Sequence, residues 1–494
     1  MNYKIITYLL GLLLLLNGGF MLLSALVSVL YKEDTALGMF LSVAITLLLG
    51  GLMLWVTRKH SKKLDSREGY IIVTMGWVAM SLSGMLPYLL TGATSSLTDA
   101  FFETMSGYTT TGATIFNDVE ILPKGVLFWR SITHWIGGMG IIVLTIAILP
   151  LLGIGGMQLF VAEAPGIKAD KLHPRITDTA KRLWYIYVSY TFVETLLLWW
   201  AGMSFFDAIN HSLSTLSSGG FSTKNLSLAY WNDQPLIQYI VVAFMFLAGA
   251  NFVLSYFFFK GKFDKVFADD ELKTYVKILL FSTIIVAFIV YFQASFVENE
   301  YNPQLWGRAE ATVRHSLFSV VSVITTTGFV TADYSDWTPF LKIFFFALMF
   351  IGASAGSTAG GIKIVRHLLM WKNSMYEFRR AMHPSAIIPV RFNQRSVSRD
   401  IMYKIMAFFV LYVLLFLLGA LVLGFLGSDF ETALGGAATS LGNIGPGLGK
   451  LNPLANFNDL NDLSKWWCAF LMLTGRLEIF TVLILFSPSF WRND

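Results

Sequence analysis

Runs of about twenty apolar residues recur ten times along this chain, near residues 5–30, 37–57, 70–90, 127–152, 182–203, 236–260, 274–297, 340–371, 401–426 and 466–488. A helix needs ~20 such residues to cross a hydrocarbon core of ~30 Å, and a spanning backbone must satisfy its own polar groups. The sequence therefore predicts an all-α integral membrane protein. Of 494 residues 55% are hydrophobic and 14% charged, where soluble proteins carry roughly 25% charge. That excludes an ordinary soluble enzyme and a disordered chain alike. The net charge of +5 is too small to argue for nucleic acid. The first run follows Lys4, as a signal peptide would, but it is too long for a secretory core and no small-x-small cleavage site follows cleanly. It reads as a retained helix. Cys468 is the single cysteine, so no intrachain disulfide forms.

Basic residues set the orientation. The segments 58–68, 153–182, 260–277 and 366–404, with the two termini, hold 25 of the 36 Lys and Arg. The connections on the opposite side hold nine, and Lys363 and Arg476 fall inside spans. The positive-inside rule then places both termini in the cytoplasm, as an even number of crossings requires.

After two N-terminal spans (1–68) the chain reads as four units, 69–170, 171–270, 271–395 and 396–494, each a span, an outer segment and a span. Every outer segment carries an apolar stretch too short to cross: Leu97–Tyr108, Phe205–Thr215, Ala309–Ile324 and Phe430–Leu441. A turn rich in glycine or small polar residues follows each one. The turns hold Thr110, Thr111 and Gly112; Ser217, Ser218 and Gly219; Thr326, Thr327 and Gly328; and Asn443, Ile444 and Gly445. Glycines 112, 219, 328 and 445 recur at spacings of 107, 109 and 117 residues. A repeat at a long period outweighs any single motif.

Non-helical backbone at membrane depth survives only where protein covers it or water lines it. Four equivalent turns can direct carbonyl oxygens at one axis and replace the hydration shell of a cation. Glycine suits a turn whose dihedrals a Cβ forbids, and hydroxyls brace it. Each short helix would aim the negative end of its dipole at the ion. The plainer alternative, a helix cap or surface turn, fits one copy better than four.

At these residues the chain resembles the Trk/Ktr/HKT superfamily of potassium transporters, in its TrkH/TrkG branch. The likeness is carried by Ser106–Phe116, Trp129–Gly140, Ala162–Gly166, Gly219–Thr223, Thr325–Phe329, Gly352–Lys363, Asn443–Gly449 and Gly475–Arg492. It implies two extra N-terminal helices, four helix–pore helix–helix repeats around one pore, potassium bound at the filter residues above, and no organic cofactor. It also implies a homodimer in the bacterial inner membrane, in contact with lipid and working with a cytosolic nucleotide-binding subunit of the TrkA type. The second turn departs from the branch in being more polar. Glycine at position 112 resembles the potassium-selective members.

Two intramembrane features stand apart. The span 340–371 holds Gly352, Gly356, Gly360 and Gly361 with Ser357, Thr358 and Lys363. Four glycines, each costing ~1 kcal/mol in a helix relative to Ala, should unwind it. A packing seam of small residues is the alternative, and it suits Gly137-Gly138-Met139-Gly140 better. The resemblance makes the unwound loop a gate below the filter. Arg476, in the last span, costs at least ~2.5 kcal/mol unless it meets water or a partner. The resemblance makes it a barrier to cations; a carboxylate partner on another helix is the structural alternative, with Glu478 poorly placed.

Seven histidines include no metal-binding pattern, and His134 reads as a buried packing or hydrogen-bonding residue. The basic segment 366–404 reads as a solvated face that also suits a regulator or anionic lipid. No Walker A motif is present, so nucleotide control requires a partner. No paired intramembrane aspartates or histidine cluster support an intramembrane enzyme. A gated pore is the leading reading, and a sodium- or proton-coupled symporter its alternative.

Overall fold

The computed structural model describes residues 1–58, 66–143, 176–293, 304–386 and 388–492, and these are predominantly helical. The surface is inverted relative to a soluble protein. Leu48, Leu421 and Phe425 are 72%, 71% and 90% exposed, whereas Ser24, Ser42 and Thr46 are fully enclosed. Such an apolar exterior is the lipid-facing belt of a multi-pass membrane protein.

Tyr3–Leu30 and Ala36–Val56 form an antiparallel pair. They cross where Gly11 meets Gly50: a Cβ on Gly50 would lie 2.9 Å from the Gly11 carbonyl oxygen. Small residues let membrane helices approach this closely. The pair is fastened to the rest through Asn17, whose amide donates to Ser83 Oγ (2.9 Å) and accepts from Tyr108 Oη (2.5 Å).

All four short stretches are helices: Leu97–Tyr108, Phe205–Leu216, Arg308–Ile324 and Phe430–Gly442. At ~1.5 Å per residue, a 12-residue helix reaches little more than half way across the core. Ser96, Ser204 and Asp429 cap three of them by accepting from the N–H three residues on. Acidic residues occupy the first turn of all four, at Asp99, Asp207, Glu310 and Glu431, which favours the positive end of each dipole.

By length and composition five helices can cross alone: Tyr3–Leu30, Ala36–Val56, Arg67–Leu90, Asp270–Gln293 and Arg399–Phe425. Two further spans, expected at 236–260 and 466–488, are sharply bent. Pro235–Gly249 and Phe252–Phe259 meet at 104°, and Asp462–Arg476 and Phe480–Phe486 at 112°. The span expected at 340–371 is broken, as its glycines predict, into Pro339–Leu348 and Ile364–Met382. Ile176–Trp200 and Lys124–Val143 complete the set. The last nine residues of the span expected at 127–152, and Ala162–Gly166, lie outside the described residues.

The breaks explain one another. At the first bend Gly249 and Ala248 lose helical partners, and the 349–363 loop supplies them: Ser354 N–H donates to Gly249 O (3.0 Å) and Thr358 N–H to Ala248 O (3.4 Å). In return Phe252 N–H donates to Gly356 O (3.2 Å). Each opened segment satisfies the other's backbone, the condition for non-helical chain at this depth. Part of the basic segment, Arg391–Phe392 with Arg395–Ser396, forms a small hairpin tied through Asn393 to Asp269 and Asp270.

Candidate functional site

Each short helix ends in the same bend. The second residue past Tyr108, Leu216 and Ile324 has left-handed backbone: Thr110 (φ 51°), Ser218 (φ 57°) and Thr326 (φ 54°). Asn443 (φ 53°) takes that place in the fourth repeat. Two residues later comes a left-handed glycine: Gly112 (φ 82°), Gly220 (φ 84°), Gly328 (φ 76°) and Gly445 (φ 96°). Threonine rarely adopts such dihedrals, and strain of this kind clusters at functional sites.

This pattern corrects the register of the second turn. The equivalent glycine is Gly220, not Gly219, and the spacings become 108, 108 and 117. Gly219 is glycine for another reason: a Cβ there would lie 2.2 Å from Nδ1 of His134, whose ring stacks on Phe221 with centroids 4.0 Å apart. Two adjacent glycines made the sequence ambiguous by one position.

The four bends meet in a closed ring. A Cβ on Gly112 would stand 2.2 Å from the carbonyl oxygen of Gly219. One on Gly220 would stand 2.1 Å from Thr327 O, one on Gly328 2.1 Å from Ile444 O, and one on Gly445 2.6 Å from Thr111 O. Each glycine thus lies against the carbonyl preceding the glycine of the next repeat, in the order one, two, three, four, one. Both the space and the dihedral demand glycine. The side chains of the other turn residues brace the ring unequally. Thr109 and Thr325 share hydroxyl bonds with Thr111 and Thr327, each 2.8 Å long. In the second repeat Ser217 Oγ turns back to Leu213 O (2.8 Å). In the fourth, Asn443 Nδ2 donates to Thr111 Oγ1 (3.0 Å) and Met472 O (2.9 Å), closing the ring onto the first repeat.

A cavity of about 200 Å³ opens on one side of the ring, with Gly112, Gly220, Gly328 and Gly445 all in its wall. Asp118, bonded to Asn225 of the cavity wall, is held below the usual carboxylate range by the Asn225 amide and the Glu120 N–H. It stays ionised at neutral pH.

On the opposite side hangs the 349–363 loop. Thr358 Oγ1 bonds Ser218 Oγ (2.9 Å) and donates to Leu216 O (2.9 Å), while Gly360 N–H donates to Thr326 Oγ1 (2.7 Å). A Cβ on Gly360 would lie 2.5 Å from Gly442 O. The loop therefore touches the bends of repeats two, three and four. Its own turns use left-handed Gly356 (φ 72°) and Gly361 (φ 66°). Gly352 N–H donates to Ile362 O (2.8 Å), Ser357 Oγ to Ser354 O (2.6 Å), and Lys363 Nζ to Ala359 O.

Arg476 is buried beside this loop and has no carboxylate partner among the described residues. Its Nη1 donates to Thr358 O (2.7 Å) and its Nη2 to Gly137 O (3.1 Å). No structural ion pair forms there among the described residues; Glu478 pairs with Arg366 at 2.5 Å. Sequence reasoning missed Glu271 and the part that Gly220 plays in the ring, whereas His134 packs as expected. The Glu271 carboxylate accepts from Ala355 N–H (2.7 Å) and Val365 N–H (3.3 Å), inside the loop and just beyond it.

Residues 38–493 match the TrkH family, described as a cation transport protein. The chain belongs to that family. Among relatives of the TrkH family, the Trk system potassium uptake protein TrkH of Salmonella typhimurium is 39% identical over 496 residues, with both chains covered in full. The Trk system potassium uptake protein TrkG of Escherichia coli is 36% identical over 495 residues, covering 100% of this chain and 99% of that relative. The crystal structure of the potassium transporter TrkH from Vibrio parahaemolyticus superposes with a TM-score of 0.89 at 37% identity, over the whole of both chains. The TrkH-family relatives are named as transporters and not as enzymes.

Proposed function

We propose that this chain takes up potassium across the bacterial inner membrane through a single gated pore. The observation that carries the reading is the closed ring, in which four glycines abut the carbonyls of Gly219, Thr327, Ile444 and Thr111 in cyclic order. Backbone oxygens gathered on one axis replace the hydration shell of a monovalent cation. Potassium, as cargo, would bind at Thr110–Gly112, Ser218–Gly220, Thr326–Gly328 and Asn443–Gly445. The names of the full-length relatives support the choice of ion.

The 349–363 loop and Arg476 would form the gate. The loop lies against the ring, and a buried guanidinium on the same side raises the barrier to cations. The cavity beside the ring would face the outside, and both termini the cytoplasm, by the distribution of basic residues. A homodimer and a cytosolic nucleotide-binding subunit of the TrkA type, docking on the basic 366–404 face, complete the reading.

The test is growth of a potassium-uptake-deficient bacterium on micromolar potassium. The wild-type chain should restore growth, and Gly112→Ser should restore much less while protein levels hold. No rescue by wild-type protein present in the membrane would overturn the assignment. In reconstituted vesicles, linear currents reversing at the potassium potential would distinguish a pore from a coupled symporter.

A further inference from the structure

Behind the first two bends lies a buried ion pair to which the conduction reading gives no task. Glu103, on short helix Leu97–Tyr108, is fully enclosed, and Arg130, on Lys124–Val143, is 2% exposed; Nε to Oε1 is 2.8 Å. Removing two charges from water is costly and is offset only by good geometry and further hydrogen bonds. Both conditions hold. Glu103 Oε2 accepts from Ile115 N–H (2.9 Å), and its Oε1 accepts from Thr114 Oγ1 (3.1 Å). Arg130 Nη2 donates to Thr114 Oγ1 (3.1 Å) and its Nη1 to Ser222 O (3.1 Å). The guanidinium also stands over the Phe221 ring, 4.1 Å from its centroid.

The partners' positions give the pair its meaning. Thr114 and Ile115 lie two and three residues past Gly112, and Phe221 and Ser222 one and two past Gly220. One planar fork therefore grips both chain segments as they leave the ring, in the wall of the cavity. The second and third short helices also hold the segments that leave their own bends, without a buried ion pair. His211, 108 residues after Glu103, bonds Ser222 Oγ at 2.9 Å, and Ser322 Oγ donates to Phe329 O at 2.7 Å.

We propose that the Glu103–Arg130 pair is a specificity-determining brace, which fixes the separation of the first and second bends and thereby the discrimination between potassium and sodium. This rests on the potassium-pore reading. Arg130 is a positioning residue that acts through the bends. Its charge, facing the cation path, is neutralised by the carboxylate behind it.

Purified full-length protein in vesicles decides the matter through the sodium-to-potassium permeability ratio, read from reversal potentials under bi-ionic conditions. Glu103→Gln should raise that ratio about tenfold, and Arg130→Lys, which keeps the charge but loses the fork, should raise it too. The double variant should be no worse than the worse single one, because the two act as a unit. Thr114→Val removes the bridging hydroxyl, leaves both charges, and should shift the ratio in the same direction by less. It decides the case if Glu103→Gln fails to fold. A wild-type ratio in Thr114→Val and in every other variant that reaches the membrane, whatever the total flux, overturns the brace alone. A wild-type protein with no potassium conductance overturns the pore reading and the brace together.

Discussion

Adjacent glycines at 219 and 220 do different jobs, and single substitutions can tell them apart. A Cβ on Gly219 meets an imidazole, whereas one on Gly220 meets a backbone oxygen and also needs left-handed dihedrals. Gly219→Ala should cost about 1–3 kcal/mol as an overpacked contact, and His134→Ala in the same chain should recover most of it. Gly220→Ala should not be recovered by any side-chain truncation. Thermal stability of the purified protein, measured alongside uptake, checks both; rescue of Gly220→Ala by His134→Ala would refute the assignment. Arg476→Ala should raise ion flux, since it removes a buried positive charge beside the conduction axis; unchanged or lower flux in a well-folded variant counts against the barrier. The sequence displayed the turn chemistry plainly at Thr110–Gly112 and Thr326–Gly328. It hid the second register because Gly219 is conformationally ordinary, and its glycine is dictated by a ring 85 positions earlier in the chain.

Among the helices, what could be read from sequence was whatever local composition controls. The four short helices lie within a residue of their expected limits, because each is an apolar run too short to span and stopped by a left-handed residue, and three are capped at their start by a side chain. The glycines of 352–361 announced their own unwinding. The bends at 249–252 and 477–479 did not, since their causes are distant or strained. The first is stabilised by donors from the 349–363 loop; the second places Glu478 and the buried, β-branched Ile479 at φ 61° and 46°, a conformation no local preference would choose. Glu271 is the point from which the loop is held. A buried N–H left without its acceptor costs ~1–3 kcal/mol, so Glu271→Ala should weaken the hold on Ala355 and Val365. Faster amide hydrogen exchange across 352–365 and a higher fraction of open time are the outcomes to measure; unchanged exchange would remove Glu271 from the gating machinery.

For the molecule as a whole, the N-terminal pair is more than an added anchor. Its Asn17 reaches Tyr108, the last residue of the first short helix, one position before the chain begins to bend. Asn17→Leu should lower the thermal stability of the protein by about 1–3 kcal/mol through the buried Tyr108 hydroxyl it leaves unpaired. A Tyr108→Phe exchange in that background should return part of the loss, and a melting series on the three variants would show it.

The ring is assembled from one polypeptide, and its four quarters have diverged. Two are laced by threonine hydroxyls, one leans on an imidazole, and one is tied by a carboxamide. An assembly of four identical subunits would have every point mutation imposed on it in quadruplicate. Here a mutation alters a single wall, so under the proposed function natural variation would adjust ion preference by quarter-steps while the other three walls hold the ring.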